Sequence, residues 1–192
     1  YDANQQSDLF VALIIGVVVI ISYTALGGFM AVSWTDFFQG IIMFFAIITV
    51  PMLGIYALGG FEETSSAWKS VSPGFLNMFS HGNGEALKPI SVISLMAWGM
   101  GYFGQPHILT RFMAIRAPEE IKPARHIAMT WVILSLTSSV IVGMVGRIYL
   151  TDQLPDSDSE KIFMILVDQL THPIVGGILL AAVLAAIMSP AD

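Results

Sequence analysis

Residues Trp98–Arg111 read WGMGYFGQPHILTR inside a long apolar segment that begins near Pro89, and they are the stretch of this chain best suited to holding a small molecule. Trp98 and Tyr102 are four apart, so on a helix they share one face and present two flat rings with an N–H and an O–H at their edges. Pro106 has no backbone N–H and its ring crowds the carbonyl four residues back, so Tyr102 loses its usual intrahelical partner. Gly99, Gly101 and Gly104 weaken the same turns. Inside a bilayer, non-helical backbone persists only where it is buried in protein or lines a watery cavity, and the segment therefore marks a binding site. Spacing taken alone favours a plainer reading, in which the aromatics pack against neighbouring helices and the proline kinks.

Other reactive side chains are sparse. His81, His107, His126 and His172 are scattered, with no HExxH pair, no paired intramembrane carboxylates and no GxSxG turn, which argues against an enzyme. His107 beside Pro106 reads more simply as a polar residue at the end of a broken helix than as a proton shuttle. With Cys 0, disulfides, thiolate catalysis and zinc–thiolate sites are excluded. Asp36 follows Trp34 and Thr35 at the edge of an apolar segment, where a carboxylate favours the positive N-terminal end of a helix as a cap. Gly27–Gly28 allow a tight turn rather than phosphate binding, since no strand precedes them and no glycine-rich nucleotide fingerprint surrounds them.

The elements that must position these residues are apolar helices. Hydrophobic residues make up 55% and charged residues 11%, against about 45–50% and about 25% in a soluble domain. The mean hydropathy is +0.75. An all-α protein embedded in a lipid bilayer follows, and the net charge of −6 without a basic stripe gives no sign of nucleic-acid binding. Five membrane segments are predicted: Leu9–Ala25, Phe37–Leu58 with a kink at Pro51, Pro89–Leu109, Ile127–Gly146 and Pro173–Met188. Ser159–Leu170 reads as a short interfacial helix, capped by Ser159, with Ile162, Phe163, Leu166 and Leu170 on one stripe. The loop Arg111–Arg125 holds Arg111, Arg116, Lys122 and Arg125, half of the eight Lys and Arg, so it is assigned to the cytoplasm. Alternation then places the turn Gly27–Asp36 inside and the loops Gly59–Lys88 and Thr151–Lys161 outside.

Two motifs carry a resemblance. Tyr23–Asp36, YTALGGFMAVSWTD followed by Gln39, resembles the signature of the sodium:solute symporter family, and Trp98–His107 with Ile108–Ala114 is similar to the matching segment of its bacterial sodium/proline branch. The resemblance runs over almost all 192 residues and corresponds to the middle of a longer family chain, so the whole reads as one partial transmembrane domain. It implies a LeuT-like five-plus-five inverted-repeat bundle, multi-pass in the cell's inner (plasma) membrane, that couples inward sodium flow to proline uptake by alternating access. It further implies that Trp98, Tyr102 and Pro106 bind substrate. Aromatic faces suit the ring and secondary ammonium of a small zwitterionic imino acid, and an opened helix offers backbone groups to its polar end. The resemblance also assigns Ala186 and Ser189 to a sodium site and gives Asp36 an influence on transport. It implies no cofactor beyond the coupling ion. Pro190 departs from the family's usual Thr and removes one hydroxyl ligand. Alternatives are a symporter for another small organic solute, and a transporter-like sensor domain of a signalling protein.

Overall fold

The computed structural model describes residues 3–81, 83–101, 105–150 and 156–189. In chain order these form α1 (Ala3–Ala57), α2 (Phe61–Val71), α3 (Pro89–Met100), α4 (Pro106–Met113), a 3-10 turn Pro118–Glu120, α5 (Ile121–Tyr149), a 3-10 stretch Asp156–Lys161, α6 (Ile162–Leu170) and α7 (Pro173–Met188). Among the described residues there is no strand, and one isolated bridge pairs Ser80 with Ala86. The protein is all-α. Two of its helical stretches, Thr24–Ala57 and Pro118–Tyr149, are long and apolar enough to cross a membrane, while Phe10–Ser22 and Pro173–Met188 are shorter apolar helices. The chain divides into two compact units, residues 1–50 with 160–192 and residues 51–159.

In the first unit, α1 is two helices joined at Gly28, whose backbone (φ 56°, ψ −158°) leaves the helical region and which L side chains rarely adopt. A Cβ at Gly27 would run into that of Ala31, so both glycines are needed for the chain to fold this closely. The helix resumes at Phe29 and continues through Pro51 without a second non-helical residue. The segment predicted to begin at Phe37 thus begins well before it, and Gly27–Asp36 is a one-residue break rather than a turn between spans. Several hydroxyls bond back into their own helix: Ser22 to the Val18 carbonyl (2.6 Å), Ser33 to that of Phe29 (2.8 Å) and Thr35 to that of Val32 (2.8 Å).

The same unit contains the α6–α7 corner. Leu166 and Val167 are fully buried, and Gly176 lets α7 pass close to them, because a Cβ there would lie 3.0 Å from the Thr171 hydroxyl. Thr171 donates to the Val167 carbonyl at 2.7 Å. His172 caps α7, its Nδ1 accepting from the Ile174 N–H at 3.4 Å, with Pro173 at the first helical position. The predicted cap of the preceding helix is not used: Ser159 lies inside the 3-10 stretch and Lys161 holds the N-cap position of α6.

In the second unit, α5 runs Ile121–Tyr149, about 43 Å at a 1.5 Å rise and so longer than a hydrocarbon core of about 30 Å. Its buried residues, Val142, Val145 and Gly146, lie toward the C-terminal end, where α2 packs. The loop predicted over Gly59–Lys88 therefore contains a helix. Thr64 and Trp68 form its inner face; Thr64 is fully buried, Trp68 is 7% exposed, and the outward residues include Phe61, Glu62, Glu63 and Lys69. Many large apolar side chains of α3 and α5 stay exposed, as suits helices that face hydrocarbon or further helices rather than water.

Candidate functional site

The predicted binding residues fall at two places, one in each unit. The first is the interruption between α3 and α4. Within the apolar segment Pro89–Leu109, whose helix was expected to be disturbed by Pro106, α3 ends at Met100 and α4 starts at Pro106. Gln105 is extended (φ −66°, ψ 131°), as the residue before a proline prefers to be, and its carbonyl accepts from the N–H groups of Ile108 and Leu109, both at 3.1 Å. Its side-chain Nε2 donates to the Gly101 carbonyl at 3.1 Å, so one carbonyl freed by the break is satisfied by a side chain. Trp98 lies in the last turn of α3, and Pro106 opens α4 and is exposed. Tyr102 lies outside the described residues, so the pairing of its ring with Trp98 has no geometry here. The C-terminal end of α3 and the N-terminal end of α4 flank residues 102–104, which lie outside the described residues.

The second place lies where α7 ends beside α1. Ser189 is the C-cap of α7, its N–H bonded to the Ala185 carbonyl at 3.0 Å. Its hydroxyl does not turn back into the helix. It donates to Oδ1 of Asp36 at 2.8 Å, a partly buried hydrogen bond between residues far apart in sequence. Asp36 therefore does not cap a helix; it lies inside the helix that resumes at Phe29, in its second turn. The physical reason is the early restart at Gly28, which moves the helix end away from Asp36. Gln39 follows one turn later, and its Oε1 is buried without a hydrogen-bond partner. Ala186 is exposed on α7, and Pro190 lies outside the described residues.

A hydroxyl whose proton is committed to a carboxylate presents its lone pairs outward, the orientation a hard cation requires of an oxygen ligand. The structure thus joins Ser189 and Asp36, which sequence reasoning assigned to separate roles. It does not bring a cluster of three or more His, Cys, Asp or Glu together among the described residues. Two residues were missed from sequence. Gln39 stands in the first motif without a role, and its signal is its spacing, three residues after Asp36 on the same helix. Trp68 was placed in a loop; its signal is the i, i+4 pairing with Thr64.

The family model for the sodium:solute symporter family matches residues 6–192. The chain is similar to the high-affinity proline transporter PutP of Bacillus subtilis, with 48% identity over 89% of this chain and 35% of that protein. It is also similar to the osmoregulated proline transporter OpuE of the same organism, with 43% identity over 98% of this chain and 38% of that protein. The sodium/proline symporter of Escherichia coli is 43% identical over 93% of this chain and 36% of its own length. The chain spans about a third of the length of these curated relatives. No solved structure matches it.

Proposed function

Because the chain belongs to the sodium:solute symporter family, we propose that it forms part of a multi-pass carrier of the inner (plasma) membrane that moves proline together with sodium by alternating access. The observation that carries this reading is the interruption of the apolar segment between Met100 and Pro106, with Trp98 in the last turn before it. A proline zwitterion has an apolar ring, a secondary ammonium and a carboxylate. An indole face attracts the ammonium and covers the ring, and the positive dipole end of α4 favours the carboxylate. Names of relatives that specify proline support the choice of solute.

Sodium in this reading is cargo that travels with the solute, and no resident cofactor or catalytic step is required. Ser189 supplies a hydroxyl oxygen and Ala186 a backbone carbonyl, while Asp36 acts through Ser189 by fixing the direction of its hydroxyl. The remaining ligands belong to helices of the complete carrier, arranged as a five-plus-five inverted repeat. The basic loop around Arg116 and Lys122 faces the cytoplasm. Uptake of radiolabelled proline into vesicles carrying the full-length protein, with and without an inward sodium gradient, tests the reading. Uptake that requires the gradient is expected; uptake indifferent to sodium, or none for proline with uptake of another solute, overturns it.

A further inference from the structure

α5 is longer than a hydrocarbon core is deep, and most of its surplus lies at one end. Its uncharged stretch Ile127–Gly146 rises about 30 Å, the depth of that core, and α2 packs toward the C-terminal end of it. At the other end Ile121–His126 rise about 9 Å more, beyond the hydrocarbon and through the layer of lipid headgroups. From Ile121 to Thr130 every residue is exposed, so among the described residues nothing covers this end.

Two cations stand at headgroup depth. Lys122 and Arg125 are three apart and share a face of α5. Among the described residues neither has an ion-pair partner. Both belong to the first turns of the helix, where the positive end of the helix dipole disfavours a cation, so α5 itself gives them no electrostatic support. The neighbouring acids do not supply it. Glu120 is taken by Arg116, whose Nε and Nη2 both donate to its Oε1, and Glu119, three residues before Lys122, is exposed to water without pairing to it.

The same face continues into the hydrocarbon as an apolar track. Met129, Val132 and Leu136 follow Arg125 at alternating steps of four and three residues, and all three are exposed. Cations at the headgroups, followed along one face by bare apolar side chains, match a molecule with a phosphate at one end and an acyl chain at the other. The planar fork of an arginine takes phosphate oxygens in pairs, and a lysine adds a point charge on a long stem. A zwitterionic headgroup carries its own cation beside the phosphate; an anionic one does not, and gains more from these two.

We propose that Lys122 and Arg125, with the track Met129, Val132 and Leu136, form a docking site for an anionic phospholipid, the cations holding its phosphate and the track its chain. The site lies apart from the residues assigned to proline and sodium, and it requires only that α5 spans the bilayer.

A fluorophore on Ala128→Cys, beside the track, reads the local lipid composition in the full-length carrier with other cysteines replaced. The carrier is reconstituted into mixed vesicles in which either phosphatidylglycerol or phosphatidylcholine carries quenching bromine atoms on its chain. At equal mole fraction, brominated phosphatidylglycerol should quench more strongly, and Lys122→Gln with Arg125→Gln should reduce that preference by about fivefold for each charge removed. Lys122→Arg should retain the preference, and Lys69→Gln on α2 should leave it unchanged. Equal quenching by the two lipids overturns the site, as does a preference that survives the double substitution. A fluorophore that neither lipid reaches also overturns it, because protein then covers this face. If the double variant does not reach the membrane, salt decides in the unsubstituted pair: a preference that fades as ionic strength rises supports the site, and one indifferent to salt overturns it. A preference for phosphatidylglycerol in a carrier that takes up no proline would leave the site standing and remove the transport reading.

Discussion

Asp36→Asn and Ser189→Ala, made singly and together in the full-length carrier, test whether the carboxylate acts on sodium through the hydroxyl. The two side chains meet in a 2.8 Å hydrogen bond that is partly buried. Hydrogen bonds to charged groups contribute about 1.5–3 kcal/mol, and partial exposure argues for the lower end, about 1.5 kcal/mol. Asp36→Asn removes the charge, loosens the alignment of the Ser189 lone pairs, and should raise the sodium concentration for half-maximal proline uptake roughly tenfold. Ser189→Ala removes the ligand oxygen itself and should raise it by about ten- to thirtyfold. In the double variant the carboxylate has no hydroxyl left to orient, so its midpoint should match that of Ser189→Ala, a coupling of about 1.5 kcal/mol. Sodium titration of radiolabelled proline uptake supplies all four midpoints, with membrane abundance as a control. Multiplication of the two single effects in the double variant would mean that Asp36 acts independently of Ser189, and an unchanged midpoint in Ser189→Ala would remove this helix end from the sodium site.

Three further outcomes are expected. Trp98→Ala should raise the apparent KM for proline roughly tenfold through loss of an aromatic–cation contact of about 1–2 kcal/mol, while Phe79→Ala, at an exposed loop ring, should leave it unchanged; Trp68 is no control for this measurement because it is buried on α5. Gly28→Ala forces a side chain into a conformation that costs on the order of 1–3 kcal/mol, and should lower membrane abundance and thermal midpoint, whereas Gly16→Ala, where a Cβ meets nothing within 4 Å, should change neither. Pro190→Thr restores a hydroxyl beside Ser189 and should lower the sodium midpoint, as read in the same titration.

The helical class was legible because apolar composition in long runs leaves the backbone no partner but itself, and the two motifs were legible because they are contiguous. Element ends were less so. The restart at Phe29 depends on one glycine adopting φ 56°, which no periodicity records. α2 escaped notice because its inner face holds Thr64 and Trp68 among charged neighbours, a mixed pattern that reads as a loop until α5 is packed against it. The bond between Ser189 and Asp36 joins the two ends of the chain's first unit, and spacing within either motif carries no information about the other. The helix start at Pro106 was legible because its missing N–H is a local property of the residue.

The hydroxyls that bond back into their own helices bear on how such a protein is made. Ser22, Ser33 and Thr35 each satisfy their donor within one turn, so a newly synthesised segment containing them enters lipid with those groups already quiet. Ser189 is different, since its hydroxyl finds its acceptor on a segment synthesised long before α7. The Ser189–Asp36 bond can form only after the helix bearing Asp36 is in place, and until then the hydroxyl needs another partner, water or its own helix. For this bond, chain order gives a sequence of events: the acceptor is synthesised before the donor.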